Sequence, residues 1–464
     1  MITESRWRSL RGLSERFRRR ESWLELLAFL ALFALYSTLI ADVVQNGDAA
    51  GYNEQIEEGI FAAREIHVGY MALGAVFRAV LPLPTDAALN VMALAFGIAA
   101  LGALYLTAKQ WGSRAAAVGS VLCALCAIDF VRAMVLSEVD ILSASLVIIA
   151  YASFALRRPV FSGVAFGVAM LCTPVTLSFV PLFVFTFSLD ARGVGATFKV
   201  QFFRVLRFGL AGLVVYLPWV VWHWHPYFWG SRGVFTSPYA PFHAEEQIMR
   251  CGDAFRGNVW GLLPLFLASS IAALWDRRRW QQDQPVIGIA LSVVTTTLLV
   301  DRAGDVPVHL ASFLLVGLIV GLFLERLAQA SKLVWAVPCC AFLLMGVPAY
   351  LSVRSDVEER RVLKKTYGEM RDQSRPLPVM LVDLPKGFST HRFFEHFSQG
   401  SAPTLVDLRH RLRKLQSGPE EYVIYFASRI PKDIEAELRE RYVATVRDVN
   451  GERYHVLVPR SVAH

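Results

Sequence analysis

Apolar residues run in long blocks from about residue 23 to 351, separated by short polar stretches. Most blocks hold roughly 17–22 residues, enough for a helix rising about 1.5 Å per residue to cross a hydrocarbon core of about 30 Å. They fall at about 23–43, 87–108, 115–131, 139–156, 160–173, 174–189, 208–224, 257–275, 284–300, 308–326 and 333–351. The pattern predicts an all-α polytopic membrane protein with about 11 transmembrane helices, the fifth and sixth broken by Pro174 and Pro181. The stretch 67–81 is apolar too, but it is short, carries Arg78 and ends in "LPLP". It reads as an amphipathic helix lying in the outer interface, part of the interfacial helices at about 49–81, rather than as a span. Short alternating segments of the kind that build a membrane β-barrel are not seen.

Beyond 351 the pattern changes. "RSDVEERRVLKKTYGEMRDQ" is a charged, helical linker, covering 352–376. After it, "PVMLVDL" and "EYVIYFA" read as strands and "TLVDLRHRLRKL" and "PKDIEAELRERY" as helices. "VATVRDVNGERYHVLVP" reads as a hairpin turning at Asn450-Gly451. Residues 377–464 thus form a small α/β domain.

Composition and charge refine this picture. Of 464 residues 55% are hydrophobic and 19% charged, which excludes an ordinary soluble domain. The net charge of +8 does not point to nucleic acid. Arg6, Arg8, Arg11, Arg16, Arg18, Arg19 and Arg20 lie in the basic segment 1–22, and most other clusters fall in alternate loops between blocks. By the positive-inside rule the N-terminus is cytoplasmic and the C-terminal domain extracytoplasmic, in a plasma (inner) membrane. Treating 67–81 as a span would invert that assignment. The first block exceeds an ordinary signal-peptide core and lacks a small-x-small cleavage site, so it reads as an uncleaved helix. Cys123 and Cys126 form a C-x-x-C, but inside a span and without a second pair; the cysteines read as small buried residues.

Ionisable groups gather at span ends on one side, where they favour a one-sided active site over a mid-membrane transport path. Asp48 follows "NG" where the chain leaves the first span. A carboxylate at such a mouth suits a general base, and an aspartate there equally suits a helix cap. Glu138 and Asp140 bracket the start of the fourth span, with Arg132 nearby; two residues apart, the acids point in different directions on a helix. "DRAGDVPVH" brings Arg302 and His309 to another mouth, where arginine and histidine can hold a phosphate, and Arg250 lies in the loop before the eighth span. "HWH", His223 to His225, sits among tryptophans and reads as part of an interfacial aromatic belt, since residues two apart do not share a helix face. P-loop, nucleophile-elbow, zincin and dinucleotide fingerprints are not found in a supporting context, so nucleotide-driven chemistry is not indicated.

Read in order, "NGDAAGY", "REIHVGYMALGAVFRAVLPLP", "ALNVMALAFGIAALGALYLTAKQWGS" and "AMVLSEVDILSASL" resemble the GT-C superfamily of polytopic glycosyltransferases. The pattern is most similar to the polyprenyl- or dolichyl-phosphate-mannose protein mannosyltransferases and their relatives. Asp48, the His67–Tyr70 segment, the basic turn 109–112 and the Glu138/Asp140 pair fall in the family's slots, although both prolines of its H-P-P segment are missing. The resemblance covers about 23–190. It implies transfer of a sugar from a polyprenyl-phosphate donor to an acceptor hydroxyl of a protein, glycan or lipid, outside the membrane and with inversion. Asp48 would then be the base. His67, Tyr70, Glu138, Asp140 and Arg132 would contact substrate, and Arg302, His309 and Arg250 the donor phosphate. No metal or other cofactor is required, though a divalent cation is compatible with the acidic cluster. The alternative class is a membrane transporter or lipid flippase.

Overall fold

The computed structural model describes residues 23–44, 47–59, 67–186, 198–222, 244–275, 280–299, 309–375, 377, 379–382, 422–426, 429–430 and 432–462. The chain begins with α1 (Trp23–Ser37), then two short helices, α2 (Gly47–Glu58) and α3 (Val68–Val80), in the region expected to lie at the interface. Val76 and Val80 on α3 are exposed while Tyr70, Met71 and Gly74 are buried, so one side faces outward and the other packs inward. The bundle continues with α4 (Thr85–Trp111), α5 (Arg114–Ala124), α6 (Ile128–Val135), α7 (Val139–Ala155) and α8 (Pro159–Cys172). A 3₁₀ turn, Pro174–Phe179, leads into α9 (Val180–Thr186). Then come α10 (Phe198–Trp222), α11 (Ala244–Val259), α12 (Leu263–Trp275), α13 (Trp280–Leu299), α14 (Leu310–Ala328) and the 43-residue α15 (Lys332–Ser374).

Among the described residues four helices are long and apolar enough to cross a membrane: Thr85–Trp111, Phe202–Val221, Leu310–Ala328 and Lys332–Ser374. Several others expected as spans, among them α8 and α12, are shorter, and α5 and α6 are separated by a bend. The clearest departure from the sequence pattern is the third block. A straight span at 115–131 followed by a polar loop is not observed; α5 ends at Ala124 and α6 starts at Ile128, with a 79° bend between them. The reason is polar. Asp129 and Arg132 are one turn apart and ion-paired, and Asn258 Oδ1 accepts the Asp129 amide at 2.9 Å. These bonds favour a second, separate helix over continuation of the first. A second departure concerns the cysteines: Cys123, Cys126 and Cys172 are buried, but Cys339 and Cys340 are exposed on α15.

Small residues let helices meet closely. A Cβ on Gly163 of α8 would overlap the Phe208 carbonyl oxygen of α10 and stand 2.8 Å from the Ala211 Cβ. Gly321 of α14 meets α5 likewise: a Cβ there would strike Ser120 Oγ and lie 2.8 Å from Ala116 O. Because backbone atoms cannot yield as a flexible side chain can, Gly321→Leu is expected to destabilise the bundle by about 1–3 kcal/mol or more. The check is the unfolding midpoint of detergent-solubilised protein.

Near the start of α1, Glu25 accepts from Tyr105 and Lys109 at 2.8 and 2.7 Å and from Arg114 at 2.9 Å. This neutralises an acid that would otherwise be costly near apolar surroundings. At the other end of the fold, α15 runs without a break from its apolar part into the charged stretch 352–374, through a π turn at Phe342–Gly346.

The tail sheet has the order β1-β2-β4-β3, built from β1 (Val379–Val382), β2 (Val423–Phe426), β3 (Tyr442–Val449) and β4 (Glu452–Pro459). β1 and β2 are parallel and the other pairs antiparallel. Asn450 and Gly451 have φ of 51° and 84°, which gives the two-residue hairpin its twist-matched turn. Alternation along β2 sends Val423 and Tyr425 into the core shared with Leu363, Tyr367 and Met370 of α15. Ile424 and Phe426 face Ile434 and Leu438 of α16 (Lys432–Leu438). The helix expected at "TLVDLRHRLRKL" lies outside the described residues.

Candidate active site

The site is assembled where α2, α3 and the start of α7 converge on the end of α8. Asp48 occupies the first turn of α2, since that helix starts at Gly47. Its backbone is therefore inside the helix rather than at the preceding cap position; its side chain lies outside what is described. His67 is the residue before α3. Its Nδ1 stands 2.5 Å from the Cys172 carbonyl oxygen at the end of α8, and a carbonyl can only accept. That bond assigns a proton to Nδ1. The ring also meets Tyr52 of α2 edge-on at 5.2 Å.

Tyr70, one turn into α3, is fully buried, and its hydroxyl donates to Asn53 Oδ1 at 3.2 Å. The Asn53 amide donates in turn to Asp86 Oδ1 at 2.9 Å, at the start of α4. Burial pushes the Tyr70 phenol up, and the charges of Asp86 and Glu138 add to that effect. The group stays a neutral donor, and Glu138 is near enough for its charge to be felt there. Tyr70→Phe removes one neutral hydrogen bond and leaves Asn53 Oδ1 short of a partner; a loss of about 1–2 kcal/mol in thermal stability is expected.

Glu138 sits at the N-cap position of α7 with extended backbone and makes no capping hydrogen bond from its side chain. Asp140, in the first turn, lines a narrow cleft with Ser143, Thr173, Thr176, Phe179 and Ala311. Asp140 is also within Coulombic reach of Cys172, whose carbonyl holds His67. His67, Tyr70, Glu138 and Asp140 are therefore brought together from two segments about seventy residues apart.

The remaining predicted residues are placed differently. Arg132 engages Asp129 on its own helix and donates to Asp356 Oδ2 of α15 at 2.8 Å. Asn258 of α11 completes that group, donating to Asp129 Oδ2 at 2.7 Å. His309 precedes α14 and is fully buried, edge-on to Phe255 at 5.4 Å. Two residues further on, Ala311 forms part of the Asp140 cleft. Arg302, the Arg250 side chain and the stretch 223–243 lie outside the described residues. Among the described residues no three His, Cys, Asp or Glu side chains are grouped so as to hold a metal ion.

Sequence reasoning passed over Asn53, Asp86, Asn90 and Asn258. Asn90 had a signal: it is an amide inside an otherwise apolar span. Asn53 had none, because it lies in a stretch already polar.

The described residues form a long helical bundle followed by a small mixed sheet at the end of an extended helix. No family model and no curated protein sequence matches the chain. Solved structures do. ArnT from Cupriavidus metallidurans in the apo state matches with a TM-score of 0.65 at 13% identity, over 96% of this chain and 99% of that one. The same protein bound to undecaprenyl phosphate gives a TM-score of 0.61 over the same shares. The apo oligosaccharyltransferase of Archaeoglobus fulgidus gives 0.52 at 13% identity, over 90% of this chain and 69% of that one. Both proteins are of the GT-C superfamily, so the resemblance carried by the first third of the sequence extends, as a fold, through the tail sheet.

Proposed function

We propose that this protein is a membrane glycosyltransferase. It moves a sugar from a polyprenyl-phosphate donor to an acceptor hydroxyl on the extracytoplasmic side, with inversion. The observation that carries the proposal is the near-complete match to the fold of ArnT, which has been crystallised with undecaprenyl phosphate. The placement of His67 and Tyr70 against Tyr52 and Asn53 of α2, with the Glu138 charge felt at Tyr70, supports it.

In the proposed reaction the acceptor oxygen attacks the anomeric carbon as the bond to the phosphate oxygen breaks. Asp48 takes the hydroxyl proton, and the polyprenyl phosphate leaves with the electron pair. Glu138 and Asp140 accept hydrogen bonds from sugar or acceptor hydroxyls, and His67 and Tyr70 complete the substrate contacts. Arg302, His309 and Arg250 stabilise the phosphate as its charge develops. Two carboxylates already engage Nε and Nη1 of Arg132, so we assign it to the scaffold of the site.

The test is transfer of radiolabelled sugar in proteoliposomes from a panel of polyprenyl-phosphate donors. Product formed by the wild type with inverted anomeric configuration is expected. Movement of the lipid-linked sugar across the bilayer with no transfer would favour a flippase instead.

A further inference from the structure

Residues 40–44 connect the end of α1 to the region of α2, and they form no helix or strand. All five of their backbone carbonyls are nevertheless taken by side chains. Arg361 Nη2 donates to Ile40 O at 3.3 Å and Asn90 Nδ2 to Ala41 O at 2.8 Å. Lys364 Nζ donates to Asp42 O at 2.7 Å, Asn90 Nδ2 again to Val43 O at 2.8 Å, and Arg360 Nη1 to Val44 O at 3.2 Å. Lys364 also pairs with the Asp42 carboxylate at 2.6 Å. A simple connecting segment would leave such groups to water. Here Ala41, Val43 and Val44 are buried, and four side chains from α4 and α15 do what water would do elsewhere.

Asn90 has a further contact. It is fully buried in an apolar helix, and its Oδ1 accepts the Ser137 amide at 2.6 Å. One side chain therefore fixes both the approach to Asp48 and the approach to Glu138. On the other side, α15 holds the tail sheet within about three turns of Lys364. Glu369 accepts the Asn450 amide at 2.9 Å, and Arg447 Nη1 donates to Gln373 O at 2.9 Å.

We propose that Asn90, Lys364, Arg361 and Arg360 are positioning residues for the transfer reaction. They hold residues 40–44 in one conformation and so set where Asp48 stands relative to Glu138 and Asp140. The inference rests on the proposed function, in which Asp48 is the base. None of the four needs to touch substrate. The tail domain is thereby anchored to the same helix that holds the segment leading to Asp48.

The experiment uses the full chain in proteoliposomes, with transfer rates expressed per donor-binding site, for Lys364→Met, Lys364→Arg and Asn90→Ala. Because a displacement of about 1 Å at a reacting group costs on the order of 10²-fold, Lys364→Met is expected to lower kcat by about 10-fold or more. Donor KM should stay within about twofold, since no substrate contact is removed. Lys364→Arg should restore most of the rate. A purely stabilising role would change the number of binding sites but not the rate at each. Hydrogen exchange on the same proteins reads the segment directly: protection over 41–50 should fall in Lys364→Met and Asn90→Ala, and at Ser137 in Asn90→Ala. A wild-type rate per site in Lys364→Met, or unaltered exchange over 41–50 in both variants, overturns the inference. A wild type that transfers no sugar from any donor overturns the proposed function instead, and exchange then decides on its own whether these side chains hold the segment.

Discussion

Asp48→Asn is expected to reduce sugar transfer by about 10²–10⁴-fold, the range that general-base catalysis contributes. Asparagine keeps the shape of the side chain but cannot take the proton released by the acceptor hydroxyl. Its place in the first turn of α2 predicts little structural damage, because asparagine is tolerated near a helix start. The variant should therefore insert, fold and bind the polyprenyl-phosphate donor as the wild type does. Single-turnover transfer with bound donor separates the two roles open to this residue. A helix-start role alone would leave the rate per bound donor unchanged, and that outcome would remove Asp48 from the mechanism. Glu138→Gln and Asp140→Asn, assayed alongside, should raise KM more than they lower kcat if those acids orient hydroxyls.

Arg132→Met is expected to act on stability rather than chemistry. The guanidinium is about a quarter exposed and serves two carboxylates, Asp129 and Asp356, each exposed to a similar degree. Removing it leaves two like charges facing each other across α6 and α15. Fully buried pairs lose about 3–5 kcal/mol on such a change. Partial exposure screens this group, so about 1–3 kcal/mol is a better expectation. Thermal unfolding in detergent measures it. Adding Asp129→Asn and Asp356→Asn to Arg132→Met should recover part of the loss, because the uncompensated charges go with the arginine. A fall in donor affinity with no change in unfolding would place Arg132 against substrate after all.

Arg132 also marks how much was legible in the chain. Its position near a helix mouth, between two acidic motifs, suggested a substrate contact. Its partner Asp356 lies more than two hundred residues away, on the charged extension of α15, where the sequence showed only a solvated linker. Nothing local could announce that pairing. His309 is similar. In the sequence it stands beside Arg302 and two acids; that its ring also packs against Phe255 and Phe313 could not be read from that stretch.

Periodicity by itself determined a great deal. It set the apolar bundle, the short helices α2 and α3 and the strands β1 and β2, because burial in lipid or in a sheet core imposes a local repeat on the residues that enter it; the Asn450-Gly451 hairpin came from its turn residues. The order of the acidic motifs was enough to suggest the GT-C fold. Tertiary structure alone decided the bend between α5 and α6, the union of His67 with Cys172 and Tyr70 with Asn53, and the five held carbonyls ahead of Asp48. Each of these depends on a polar group meeting a partner dozens to hundreds of residues away. A hydrogen bond needs only a donor and an acceptor at the right distance, and it leaves no periodic trace in either stretch that supplies them.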